Sequence, residues 1–495
     1  MENTPQSDLA LRTRLLSDPH RPRYHIVSMG ERGLPFDPNG ALFWKGRYHL
    51  MLIVQPKPRH HCYAHISSKD LVHWRHHPMA LEPGDIDTGI FSGGAFVDRD
   101  GTPTITYWGL SENGGILLAT SSDEELDHWQ KHPANPVIPG NQEGYDVTSG
   151  GEPFGAADPS DIWEHEGRYY LLTGNLPVLR AFGLDKDMDE HKGDTAYLFV
   201  SDDLAHWEYL HPFYASRREW TDADEDCMCP DFFPLGDRHM LLFISHNHGC
   251  QYYIGQYGND RFTPETHGRM SWEDALFFAP ESLVDDRGRR IMWAWIRNGV
   301  DEEKIRESDW SGTLSLPRVL WLGEDRTLRM APPEELEQLR YAPVRVGPMT
   351  IAEEAEFPWE DVAGRDLELE IEMSSDNATA FGLHVCRSPD GEERTSIYYD
   401  SDEEKLCIDT RKSGSDRGPL SVEGGPFKLC SGESLRLRVF IDRSIVEVFV
   451  NDRQAVMRRI YPMRSDSMGV AFFSRGGPAS VHRASAWKMG PSNPW

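Results

Sequence analysis

The chain is patterned for strands almost throughout. Short apolar runs bounded by Gly, Asp or Asn recur at Tyr48 to Gln55, Thr104 to Tyr107, Tyr169 to Thr173, Ala196 to Ser201, Met240 to Ser245 and Ile291 to Trp295. Many belong to one repeated unit: an Asp-Pro step, a short apolar strand, a glycine turn and a second strand. The unit is plainest at Phe36-Asp37-Pro38-Asn39-Gly40, which runs through Lys45-Gly46-Arg47 into the strand at Tyr48. It returns at Asp158-Pro159-Ser160-Asp161-Ile162-Trp163, with Glu166-Gly167-Arg168 as its turn. Looser copies follow Ser92-Gly93-Gly94, Pro230 and Pro280. The turn glycines or their equivalents stand at 46, 101, 167, 236 and 288, in steps of 55, 66, 69 and 52 residues. One such unit cannot bury both its faces alone, so five copies predict a five-bladed β-propeller.

A second signature repeats beside the first. It reads Ser68-Lys69-Asp70-Leu71-Val72-His73-Trp74, then Ser122-Asp123-Glu124-Glu125-Leu126-Asp127-His128-Trp129, then Ser201-Asp202-Asp203-Leu204-Ala205-His206-Trp207. A strand breaks at a Ser/Asp turn, and the Leu and Trp are expected to tuck under the neighbouring sheet. Helical patterns are scarce. The clearest is Pro333 to Arg340, with acids in its first turn, read as a connector.

Past about residue 345 the pattern changes. Leu367 to Glu372, Leu435 to Phe440 and Ile445 to Val450 alternate apolar and polar, as strands of a β-sandwich do. The expected organisation is all-β: a tail or short helix over 1–20, a propeller over 21–335 and a sandwich over 345–495.

At 495 residues, 39% apolar and 11% aromatic, the chain is long enough for two or three domains. Its formal charge of −29 argues against nucleic acid, anionic membranes and polyanionic substrates. Residues 1–18 show no apolar signal-peptide core, and no run of 18 apolar residues occurs. Seven scattered cysteines fit reduced thiols, so a cytoplasmic location is expected. Cys227, Cys229, His246, His248 and Cys250 match no standard zinc spacing, and no metal or other cofactor is expected. His60-His61 and His76-His77 read as surface pairs.

The candidate chemistry lies in the matched Asp-Pro steps. Asp37 and Asp158 each stand nine residues before a turn glycine. In a propeller, residues just ahead of corresponding strands converge on the axis, so the two carboxylates are expected to share one pocket.

These residues resemble glycoside hydrolase family 32, the invertases and fructanases. The likeness runs from about Arg21 to Pro462. It rests on Asp37-Pro38-Asn39-Gly40, the Ser68–Trp74 signature, Phe91-Ser92-Gly93-Gly94 and Ala157-Asp158-Pro159. It continues through Cys229-Pro230-Asp231-Phe232-Phe233, Trp310-Ser311-Gly312, Leu316-Pro317-Arg318 and Asp442-Arg443-Ser444-Ile445-Val446-Glu447-Val448-Phe449. The resemblance implies a propeller followed by a sandwich. It also implies retaining hydrolysis of a β-fructofuranoside, with a small sugar or oligosaccharide as partner. Asp37 would be the nucleophile and Asp158 the transition-state stabiliser. Asn39, Gln55, Phe91 and Ser92 match substrate-contacting positions, and Tyr63 stands where the family usually has Trp.

Three departures fall at the sugar site. Met228 precedes Cys229-Pro230 where the family has its acid/base Glu. Phe36 replaces the Asn before the nucleophile, making the subsite more apolar, and Ala157 replaces the Arg of Arg-Asp-Pro. They point to a displaced acid, to another furanoside such as an arabinofuranoside, or to an inactive carbohydrate-binding propeller. Glu225 and Asp226 are the candidate acids. On a regular strand Asp226 would share Met228's face, about 7 Å along, while Glu225 has the longer reach.

Overall fold

The structure, a computed structural model, describes residues 13–28, 36–57, 60–110, 114–140, 145–149, 152–182, 193–272, 275–299, 310–415 and 418–492. Residues 1–12 of the expected tail lie outside them; residues 13–17 are helical. The fold is all-β.

The first sheet takes Pro38–Trp44, Arg47–Lys57, His60–Ser68 and Trp74–His76 in chain order, every pair antiparallel. The next is built on Pro103–Leu110 and Gly115–Ser121. Three four-stranded meanders follow, opening at Trp163–His165, Met228–Leu235 and Phe277–Val284. The five anticipated turn glycines all adopt left-handed backbone, with φ between 62° and 81°, as tight hairpin turns require.

The first strands are tied to their neighbours by main-chain and carboxylate bonds. Gly40 N donates to Gly93 O at 3.1 Å. Asp161 accepts Ala95 N at 2.6 Å, Asn175 N donates to Cys227 O at 3.1 Å, and Asp231 accepts Ser282 Oγ. Glu281 of the last of these sheets accepts Ala41 N of the first at 2.9 Å. Asp161, Asp231 and Glu281 converge on the guanidinium of Arg290. Burial first, and then their mutual repulsion, drives the Asp161 and Glu281 carboxyls up.

The Ser/Asp signature is structural, as its sequence suggests. Asp70, Asp123 and Asp203 each accept main-chain N–H groups from the turn that follows. Leu71, Leu126 and Leu204 are forced to positive φ. Trp129 and Trp207 donate to the carbonyls of Leu126 and Leu204, both at 2.9 Å, and Trp74 packs edge-on against Trp293.

The C-terminal part stacks two antiparallel sheets. One follows the order Arg340–Val346, Ala479–Met489, Asp366–Ser374, Leu435–Asp442, Ile445–Val450, Gln454–Arg459. The other runs from Ala355–Ala363 to Val422–Pro426. Their facing residues form one apolar core, while Phe440, Phe449 and Met457 on the outer face join the core of the N-terminal sheets. Alternation misleads here at Glu447 and Glu368, which are fully buried rather than solvated. Glu447 pairs with Arg318 and His25, and Glu368 with Arg340 and Arg438.

Two further expectations are corrected. The connector is a 3-10 helix, Glu334–Leu339, because Leu336 and Leu339 are three residues apart and both bury on one face. His77 is not a surface residue. Its ring stacks on His65 at 4.0 Å and bonds Asp127 and Ser67 at 2.6 Å, because the strand Trp74–His76 ends against the next sheet. No disulfide joins the seven cysteines.

Candidate active site

Asp37 immediately precedes the strand Pro38–Trp44 and is 7% exposed. Its Oδ2 accepts a hydrogen bond from Ser92 Oγ at 3.3 Å, and its Oδ1 is buried without a partner among the described residues. Burial and then the charge of Asp158 push this carboxyl up to about 7. Ser92, His246 and Arg297 act in the opposite direction.

Asp158 adopts left-handed backbone, with φ 43°, and is equally buried. The thiol of Cys229 donates to its Oδ2 at 3.5 Å. Burial raises Asp158 to about 6, against the Cys229 bonds and the charge of His246. Cys229 feels the charges of both acids and also bonds Ser92. Asp37, Ser92, Cys229 and Asp158 are therefore one contiguous group, assembled from separate sheets. The convergence rests on a bulge. The register slips between Met228 and Asp231, and Cys229 takes φ 46°, which turns its side chain toward Asp158.

The other anticipated residues surround this group. Asn39 bonds Asp37 O and Gly93 N, both at 2.9 Å, and so fixes the Ser92 loop relative to Asp37. Tyr63 is fully buried and donates its hydroxyl to Phe91 O at 2.7 Å. Burial and then the charges of Glu281, Asp158 and Asp37 push that hydroxyl up, which puts Tyr63 beside the acids. Gln55 meets His61 at 3.3 Å, and the Phe91 ring lies between His61 and Trp108 at 4.5 and 5.7 Å. Phe36 belongs to the apolar core and packs on Gly312.

The acidic run is not placed as a strand would place it. The strand begins at Met228, so side-chain alternation does not extend back to Asp226. Glu225 and Asp226 are each 1% exposed. Glu225 accepts Asp222 N at 3.0 Å and Gln251 Nε2 at 2.6 Å. Asp226 accepts His246 N at 2.9 Å and meets His246 Nδ1 at 2.7 Å, and its charge acts on Asp158. Met228 is buried, with its sulfur accepting Leu176 N at 3.4 Å.

Sequence reasoning missed two groups whose charges act on Asp37, His246 and Arg297, and the Trp108 ring beside Phe91. His246 was weighed only as a zinc ligand. Trp108 is the register partner of Phe91, a relation visible only once the strands are paired. Arg297 stacks on Phe278 and Trp295 at 4.9 and 5.8 Å, and its charge acts on Asp37. Among the described residues, three groupings bring potential metal donors within 4.8 Å of one another: His60, Cys62 and Glu82; His65, His77 and Asp127; and Asp222, Glu225 and His248. In the second, His77 bonds both Asp127 and Ser67.

Two family models match the chain. The glycosyl hydrolases family 32 N-terminal domain covers residues 28–332, and the glycosyl hydrolases family 32 C terminal covers 335–488.

The chain belongs to glycosyl hydrolases family 32.

Among its relatives is a sucrose-6-phosphate hydrolase of Zymomonas mobilis, 28% identical over 97% of this chain and 94% of that one. A levanase of Bacillus subtilis is 29% identical over 93% of this chain and 69% of its own length. In structure the chain is similar to fructan 1-exohydrolase IIa from Cichorium intybus, with a TM-score of 0.83, 23% identity and 96% and 98% of the two chains covered. Against this family 32 background Met228, Phe36 and Ala157 are all buried, with 2%, 2% and 0% exposure. The departures are thus absorbed into packing, and the buried acid pair is kept.

Proposed function

We propose that the protein is a retaining glycoside hydrolase of β-fructofuranosides, of the sucrose, fructo-oligosaccharide or fructan type. The single observation that supports this best is the buried group of Asp37, Ser92, Cys229 and Asp158. Asp37 attacks the anomeric carbon, the glycosidic C–O bond breaks, and the leaving oxygen takes a proton. Water then gives up a proton and attacks the same carbon, and the ester bond to Asp37 breaks. Asp158 hydrogen-bonds sugar hydroxyls and stabilises the oxocarbenium-like transition state. Gln55, Tyr63, Phe91, Ser92, Asn39 and Phe36 shape the subsite, the last two from behind. The Glu225–Asp226 region serves the proton transfer, and Asp226 is the better placed to act there, because its charge reaches Asp158.

We read the N-terminal sheets as five propeller blades over 21–335 and the rest, from about 345, as the sandwich. The tie from Glu281 back to Ala41 supports that reading.

The test is turnover of sucrose, sucrose 6-phosphate, levan, inulin and an aryl-furanoside panel, with Asp37→Asn as control. Release of fructose that the variant lacks supports the proposal. Release from arabinofuranosides alone would reassign the sugar. Buried Met228 favours one other reading, a silent carbohydrate-binding propeller; calorimetric sugar binding without turnover would establish it.

A further inference from the structure

The family's acid/base position holds Met228, whose sulfur is turned toward Leu176. Met228 pairs with Ile244 across the sheet. Asp226 stands two residues before that strand, and His246 directly follows the partner strand. The two side chains do meet, with His246 Nδ1 at 2.7 Å from Asp226 Oδ2 and His246 N donating to Oδ1 at 2.9 Å. The carboxylate is 2% exposed and the imidazole 43%. The histidine is therefore anchored by a buried carboxylate and partly exposed, at the same end of the sheet as Met228. Its ring packs edge-on against Phe278 at 5.5 Å.

We infer that His246, oriented by Asp226, is the proton donor and acceptor of this hydrolysis, in place of the carboxyl that Met228 displaces. The assignment rests on the hydrolase reading above. A carboxylate on Nδ1 fixes the tautomer and orients the ring, and the proton is exchanged at Nε2, the division of labour that serine-protease triads use. In the first half-reaction the Asp37 carboxylate forms its bond to the anomeric carbon. The glycosidic pair goes to the leaving oxygen, which takes the proton from Nε2 of the imidazolium. In the second half, neutral Nε2 takes a proton from water, the water oxygen bonds the anomeric carbon, and the ester pair returns to Asp37. The charges around the imidazole suit this cycle. Asp226 bonds its Nδ1, its charge interacts with those of Asp37 and Asp158, and Arg297 packs on the same Phe278 ring. Asp224 bonds the adjacent Asn247, and Glu225 lies 3.9 Å from His248.

The test compares sucrose with β-fructosyl fluoride, whose leaving group needs no proton. His246→Gln should lower kcat/KM on sucrose by about 10²–10⁴-fold and on the fluoride by far less. Azide, which attacks the fructosyl-enzyme without needing a base, should restore the variant's turnover of the fluoride and yield fructosyl azide. Asp226→Asn should retain part of the activity and move the basic limb of the pH profile down, because the imidazolium loses its neighbouring charge. Full sucrose turnover by His246→Gln overturns the assignment. So do equal losses on both substrates with no azide effect, or a leaving-group-dependent loss in Glu225→Gln instead. If His246→Gln fails to fold, the Asp226→Asn profile decides, and an unmoved limb overturns it. A wild type inert on the whole panel overturns the hydrolase reading and this inference together; an active wild type isolates the inference.

Discussion

Ser92 Oγ donates to Asp37 Oδ2 at 3.3 Å, while Asp37 Oδ1 is buried without a partner among the described residues. Such a carboxylate is poorly solvated, and its carboxyl is pushed up to about 7 by burial and then by Asp158. A nucleophile must be ionised, so kcat/KM should rise with pH along a limb near 7. Ser92→Ala removes the bond that favours ionisation and should move that limb to higher pH. A pH–rate profile of the variant that coincides with the wild type would contradict this.

The same burial has a price in stability. Asp37 ionises near 3.8 when unfolded and near 7 when folded, so stability falls as pH rises between these values and stays low above them. Asp37→Asn should abolish turnover yet stabilise the fold at pH 8 by on the order of 2–4 kcal/mol. The gain should vanish near pH 4. Denaturant unfolding at the two pH values measures it.

His25 lies between Asp442 Oδ2 at 2.8 Å and Glu447 Oε1 at 3.1 Å, and Arg318 meets the other Glu447 oxygen at 3.2 Å. Burial alone would lower His25, but the two carboxylates raise it; burial would raise Asp442 and Glu447, but His25 holds them down. The histidine's contribution is present below 6.5 and is lost as pH rises through its raised folded value. The acids' contributions are present above their ordinary 3.8 and 4.5 and are lost as pH falls through their depressed values. The knot is therefore complete between about 4.5 and 6.5. Glu447→Ala strands Arg318 and should cost about 3–5 kcal/mol, read as a lower midpoint in urea.

A Cβ at Gly312 would stand 2.0 Å from Phe36 Cγ. Gly312→Ala should therefore displace Phe36 and lower stability by about 1–3 kcal/mol. Phe36→Ala should cost about 3–5 kcal/mol through the cavity it leaves. If Phe36→Ala instead left stability intact and changed only KM, Phe36 would be a sugar contact rather than packing.

Asn39 ties Asp37 O to Gly93 N. Asn39→Ala leaves a buried Gly93 N–H unpaired and should cost about 1–3 kcal/mol. Its kcat should fall more than its KM changes, because Ser92 loses its position against Asp37. Steady-state kinetics on sucrose separates the two effects.

Local order was legible in the chain itself. Hairpin turns need left-handed glycine and half-buried strands need apolar alternation, so residues 46, 101, 167, 236 and 288 and the strand runs could be read directly. The matched Asp-Pro steps also picked out Asp37 and Asp158, because a repeat places equivalent residues at equivalent depths. What depends on contacts between distant segments was not legible. Glu447 reads as a solvated strand position until His25 and Arg318 arrive from elsewhere. Phe36 reads as a subsite residue until Gly312 makes room for it in the core. The partnership of Asp226 with His246 required the pairing of two strands and a bulge at Cys229. The sequence by itself determined the strands, their turns and the two acids, since those follow from short-range sterics and periodicity. Only the tertiary structure decided which charges are desolvated and which groups face them, because burial and Coulomb interactions act through space rather than along the chain.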